Sequence, residues 1–159
     1  MNGDVDIEEA GLKTRVPASA AWLGGLGALP FLGLAGAAAF LSGPHRLLAS
    51  QALEAYGAVI LSFLGGVHWG LAMGTHEGQT DSGKLAPRLL LSVVPSLVGW
   101  LAVLVGGSPG LAILAAGVAA MLFVDLRATR LGHAPPWYPK LRIPLSLVVI
   151  ASLLVGAIA

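Results

Sequence analysis

The chain has 159 residues, 56% hydrophobic and 11% charged, with formal net charge +1 and mean hydropathy +0.83. Soluble domains carry about 25% charged residues, so a chain this short and this oily has lipid as its natural solvent, and the expected fold class is all-α, a polytopic membrane helical bundle. The near-zero net charge offers no basic face for nucleic acid, and the absence of cysteine excludes disulfides, thiol catalysis and zinc–thiolate sites.

Residues 1–19 read as a polar N-terminal tail, acidic at first (Asp4, Asp6, Glu8, Glu9) and then basic (Lys13, Arg15), and residues 20–159 as the transmembrane bundle. The first apolar run, about Ala20–Leu41, contains Pro30, which removes a backbone donor and is expected to kink the helix. The second run is about Ala52–Met73, the third Leu89–Val105, the fourth Leu111–Leu126 and the fifth Ile143–Ile158. Most approach the roughly 20 residues that cross the hydrocarbon core. Between them, Ser42–Gln51 and Gly106–Gly110 read as tight turns, Gly74–Pro87 as a polar loop, and Arg127–Arg142 as a long connection containing Pro135-Pro136-Trp137-Tyr138-Pro139. A cleaved signal peptide is the rival reading of the first run, opposed by its length, by Pro30 and by the acidic residues before it.

Five spans sort the charge. Lys13, Arg15, Lys84, Arg88, Arg127, Arg130, Lys140 and Arg142 fall on one side, and of the nine basic residues Arg46 alone falls on the other. Such a bias places the basic side, with the N-terminus, in the cytoplasm or matrix.

The second span carries Glu54, Ser62 and His68, and ionisable groups within a span are costly and usually face protein or water. Glu54 and His68 lie 14 positions apart, on nearly one helix face and roughly 21 Å apart at about 1.5 Å per residue. Glu54 is expected near the outer end, exposed to solvent. Histidine exchanges protons near neutral pH, so His68 is either a proton- or ligand-contacting group or a packing residue bonded to a neighbouring helix. Asp125 sits at a similar depth in the fourth span. It is expected to pair with His68 or with Arg127, Arg130 or Arg142, or to mark the end of its helix. Ser62, His68, Trp69 and Asp125 form the candidate ligand or proton site. Gly66, Gly70 and Gly74 recur every fourth residue and would let another helix approach closely, from this chain or a second copy. Trp137, Tyr138, Lys140 and Arg142 read as an interface anchor. No motif for nucleotide binding or nucleophilic catalysis is present, and the four histidines lack ligand spacing, so no cofactor and no metal are expected.

The stretch Tyr56-Gly57-Ala58-Val59-Ile60-Leu61-Ser62-Phe63-Leu64-Gly65-Gly66-Val67-His68-Trp69-Gly70, with Leu29-Pro30-Phe31 upstream, resembles the signature of an uncharacterised multi-pass membrane family that includes mitochondrial transmembrane protein 69. The resemblance covers about Ala20 to the C-terminus. It implies a multi-pass protein of a bacterial inner membrane, N-terminus cytoplasmic and C-terminus periplasmic, and supplies no activity; Ser62, His68 and Trp69 match its motif. The function expected is that of a non-enzymatic bundle supporting a membrane complex, with lipid and a membrane-protein partner or second copy around it. The alternative is a binder or transporter of a small hydrophobic ligand or proton through the His68 region, which requires a cavity there.

Overall fold

The computed structural model describes residues 15–74 and 82–159, with the side chains of 82–84 excepted. Most of the polar tail, including Asp4, Asp6, Glu8, Glu9 and Lys13, the greater part of the loop after the second span, and the Lys84 side chain lie outside the described residues. The remainder forms five helices: α1 (Ala18–Phe40), α2 (Gly43–Gly74), α3 (Ser82–Val105), α4 (Gly107–Arg130) and α5 (Tyr138–Ile158). All five contain stretches long and apolar enough to cross a membrane.

The helices outrun the apolar segments that announce them. α2 begins at Gly43, nine residues before the apolar run starting at Ala52, so Ser42–Gln51 is almost entirely helix rather than a turn. Pro44, at the second position of α2, costs no hydrogen bond because the first N–H groups of a helix have no intrahelical partner. α4 likewise starts at Gly107, and the expected Gly106–Gly110 turn shrinks to a sharp reversal in which Gly106 and Gly107 have φ of +70° and +62°. A side chain at either position would clash with its own backbone, so the reversal depends on glycine. α1 continues as helix through Pro30.

α2 is the central element and touches all four other helices, while α1, α5, α4 and α3 follow one another in an arc around it. The core along this axis is formed by Phe31, Leu53, Leu61, Leu114, Val118 and Leu153, all almost inaccessible. The outer surface is equally apolar: Trp22, Phe40, Val59, Phe63, Leu97, Trp100 and Phe123 are exposed. A water-soluble protein does not present so continuous an apolar exterior, whereas a helical bundle in hydrocarbon does, because each helix satisfies its own backbone.

Close helix approach is achieved at glycines other than those the four-residue repeat suggested. A methyl group at Gly65 would collide with the Ser92 carbonyl oxygen of α3, and one at Gly99 would lie 3.1 Å from the Ala58 carbonyl oxygen. A methyl group at Gly57 would lie 3.0 Å from Leu114 and 3.1 Å from Leu153, and one at Gly117 would lie 2.8 Å from Leu61. Gly66, Gly70 and Gly74, in contrast, are exposed, and no described atom lies within 4 Å of where their side chains would start. Their use in packing helices of this chain against one another is therefore overturned.

Candidate functional site

α2 and α4 run in the same direction, and α5 starts beside their ends. His68, Asp125 and the first turns of α5 consequently meet at one end of the bundle, the end that also carries Arg88, Arg127, Arg130 and Lys140. Asp125 is 2% exposed. Its Oδ1 accepts from His68 Nε2 at 2.7 Å and from the Tyr138 hydroxyl at 3.4 Å, and its Oδ2 accepts from Arg142 Nε at 2.5 Å. Arg142 is itself buried. The Asp125 carboxylate and the Arg142 guanidinium form an ion pair that is neutral overall, in which each charge offsets the other's desolvation cost. His68 Nε2 must then carry the hydrogen, which leaves Nδ1 as the imidazole's other polar atom; it makes no hydrogen bond with the described residues.

The structure thus brings together His68 and Asp125 from the candidate site and adds Arg142 and Tyr138. Arg142 does not serve as an interface anchor, because α5 begins five residues before the apolar run at Ile143 and carries Arg142 inward on its first turns. Tyr138 is half-buried against Asp125, while Trp137 is half-buried and Lys140 exposed. Ser62 is half-buried and Trp69 is 42% exposed on the outer face of α2; neither lines either of the two cavities beside the ion cluster. His68 lies six residues before the end of α2 and Asp125 five before the end of α4, and this shared depth is the signal that made the pairing legible.

A cavity lies on each side of the ion cluster. One, of about 320 Å³, runs between α1, α2 and α5; its walls are apolar (Leu23, Ile60, Val67 and Leu145 among them), and Tyr138 and Arg142 form its polar end. The other, of about 240 Å³, lies between α2, α3 and α4 and is lined by His68, Arg88, Arg127 and His133 together with apolar residues. Sequence reasoning missed this second site, because Arg88 and His133 are 45 positions apart and nothing local joins them. In the structure Arg88 Nη2 donates to His133 Nε2 at 3.1 Å. Among the described residues, no group of three or more His, Cys, Asp or Glu could hold a metal.

At the opposite end Glu54 is buried, 6% exposed, rather than solvated. Its carboxylate lies against the backbone N–H of Gly107, the first residue of α4, and its Oε1 is buried with no hydrogen-bond partner among the described residues. That amide has no partner within its own helix, and the positive end of the helix favours a carboxylate. Gly110 makes room for it: a side chain there would overlap Glu54 Oε1. Glu54 therefore acts as a tertiary cap. Glu54→Ala is expected to cost about 1–2 kcal/mol of stability in detergent unfolding, while Glu54→Gln, which keeps the acceptor, stays within about 1 kcal/mol of the wild type.

Five apolar helices, an outer surface suited to lipid and an ion cluster enclosed at one end define a multi-spanning α-helical membrane protein. Comparison with known families agrees and is more specific. The chain belongs to the family described as Protein of unknown function (DUF3429), which it matches over residues 16–158. It is similar to Transmembrane protein 69 of Xenopus tropicalis, 36% identical over 135 residues that cover 77% of this chain and 51% of the relative. It is also similar to Transmembrane protein 69 of Mus musculus, 32% identical over 107 residues that cover 65% of this chain and 41% of the relative. The chain thus spans about half the length of the curated relatives it matches, or less. No solved structure matches it.

Proposed function

We propose that this chain is a multi-pass membrane binding protein that takes up a small hydrophobic ligand in the cavity between α1, α2 and α5. Tyr138 and Arg142 meet the ligand's polar end, and the Asp125–His68 pair holds Arg142 in place. The observation that carries this reading is the apolar cavity of about 320 Å³ ending on Arg142, whose Nη2 is buried and has no acceptor among the described residues. Ligand sites are characteristically apolar cavities with a few fixed polar groups. Proton transfer along α2 between Glu54 and His68 has less support, because Leu53, Leu61, Leu114 and Leu153 fill the intervening core. The charge bias supports a site toward the cytoplasmic or matrix side of its membrane, the inner membrane if the source is bacterial.

Purification in native lipid particles followed by mass spectrometry of the extract tests this. Val67 lines the cavity, so Val67→Trp is expected to reduce a copurified hydrophobic compound at least about tenfold, a loss of about 1.4 kcal/mol of affinity. Val59→Trp, on an outward-facing position 62% exposed, is expected to leave it unchanged. Equal ligand content in the two variants would reject the cavity as the site.

A second reading, a bundle that supports a membrane complex, is favoured by the exposed Gly66–Gly70–Gly74 ridge, which no described part of the chain occupies. Small residues on a lipid-facing helix let a partner helix approach. Under this reading Gly70→Leu is expected to abolish crosslinking to a partner or second copy in membranes, without altering the stability of the isolated chain. A wild-type chain that never crosslinks argues against it.

A further inference from the structure

The cavity on the other side of the ion cluster has a different chemistry. We propose that it is a phosphate-binding site, formed by His68 of α2, Arg88 of α3, Arg127 of α4 and His133 of the α4–α5 connection. These four side chains line one half-open cavity of about 240 Å³. The only carboxylate among the described residues near it, Asp125, already faces Arg142.

The arrangement is more than a basic rim. Arg127 and Arg130 both lie in the last turn of α4, where cations offset the negative end of the helix, and that role accounts for either of them. It does not account for Arg88 and His133, which come from different elements and meet at 3.1 Å. Arg88 donates to His133 Nε2, so the neutral ring keeps its N–H at Nδ1 and His133 remains a donor. His68 is held through Nε2 by Asp125. Two guanidinium groups and one imidazole donor, His133, therefore line a space large enough for a phosphate group with water, and His68, whose Nδ1 is an acceptor, can take a hydrogen bond only from that water or from a protonated phosphate oxygen. Phosphate oxygens are the acceptors that guanidinium forks bind best. Leu91 and Leu131, both exposed, complete the rim on the lipid side and give an acyl chain a path out. A phosphate there can belong to an anionic lipid headgroup or to a free phosphate compound. The proposal is independent of the apolar cavity and does not require it to be occupied.

The test uses the full chain in nanodiscs of phosphatidylcholine containing a minor fraction of phosphatidylglycerol, with bound phosphatidylglycerol counted by native mass spectrometry after mild release, in the presence and absence of millimolar inorganic phosphate. Arg127→Gln and His133→Gln, alone and together, are compared with Arg130→Gln. That control removes the same charge from the same helical turn but lies outside the cavity lining. Thermal unfolding verifies that each variant folds, and His133→Asn provides a second change at that position. The site predicts that Arg127→Gln with His133→Gln lowers retained phosphatidylglycerol by about tenfold or more, as expected for lost charge-assisted hydrogen bonds, while Arg130→Gln changes it less than about twofold.

Retention unaffected by inorganic phosphate identifies the lipid headgroup as the source. If inorganic phosphate displaces the lipid, or raises the unfolding temperature of the wild type but not of the double variant, a free phosphate compound is the source. An effect of Arg130→Gln as large as that of Arg127→Gln would overturn the proposal, reducing the cluster to general surface charge. So would wild-type retention by the double variant with no response to inorganic phosphate. Glu77→Gln and Asp81→Asn, in the connection before α3, test whether the chain's own carboxylates compete for the cavity: under the proposal retention rises or is unchanged in them, and a fall counts against it.

Discussion

Asp125→Leu is expected to cost about 3–5 kcal/mol of stability, the largest effect of any single polar substitution in the bundle. Its carboxylate is 2% exposed and joins α2, α4 and α5 through His68 and Arg142. The size of the loss comes from the guanidinium rather than from the hydrogen bonds themselves. An ordinary interhelical hydrogen bond in a membrane protein contributes about 0.6 kcal/mol, whereas an unpaired arginine at depth in a bilayer costs about 2.5–3.5 kcal/mol or more. Arg142 is buried, and its Nη2 already lacks an acceptor among the described residues. His68→Gln, which leaves the ion pair intact, should therefore cost no more than about 1 kcal/mol. Asp125→Leu combined with Arg142→Met, which removes both charges, should recover most of the loss. Reversible unfolding in mixed micelles, run as a double-mutant cycle, checks all three. An Asp125→Leu variant no less stable than His68→Gln would show that Arg142 is not held by this pair.

Gly65→Ala and Gly66→Ala, one residue apart on α2, are expected to have opposite effects. At Gly65 the new methyl meets the Ser92 carbonyl oxygen and lies 3.4 Å from Pro95 Cβ. The obstacle is helix backbone, which cannot rotate away, so α2 and α3 must separate along their shared face. Overpacking of this kind costs about 1–3 kcal/mol. At Gly66 nothing described lies within 4 Å, and alanine is the better helix former by about 1 kcal/mol in an ordinary helix, so Gly66→Ala should be neutral or slightly stabilising in dilute detergent. Thermal unfolding of the two variants side by side decides the point. Equal destabilisation would mean that the face carrying Gly66 is also packed.

The polar residues were legible in part because an ionisable group in a span is conspicuous. The similar depth of His68 and Asp125 followed from counting residues along two helices that run in the same direction, and the set of possible cations for Asp125 included Arg142. Selecting Arg142 required the start of α5. Its first residues, Tyr138-Pro139-Lys140-Leu141-Arg142, carry aromatic, proline and basic side chains that look the same whether they lie at a membrane surface or open a helix. Glu54 was misplaced for a related reason: the amide it lies against belongs to Gly107, 53 positions away across a reversal, and the local sequence holds no trace of that contact. The packing glycines were misassigned because a four-residue repeat reveals that a helix can be approached but not from which side.

Sequence by itself determined the class of protein, the number of spans and the end of the bundle at which charge gathers. Each of these follows from how much apolar chain lies between polar segments, a property each helix carries alone into a bilayer. Tertiary structure decided which face of each helix is inside, which arginine closes the ion pair, and where the cavities lie. In water the buried face of a helix is marked by its hydrophobic side. In lipid the core and the surroundings are equally apolar, so the pattern that would reveal the inner face is nearly erased, and only the positions of neighbouring helices restore it.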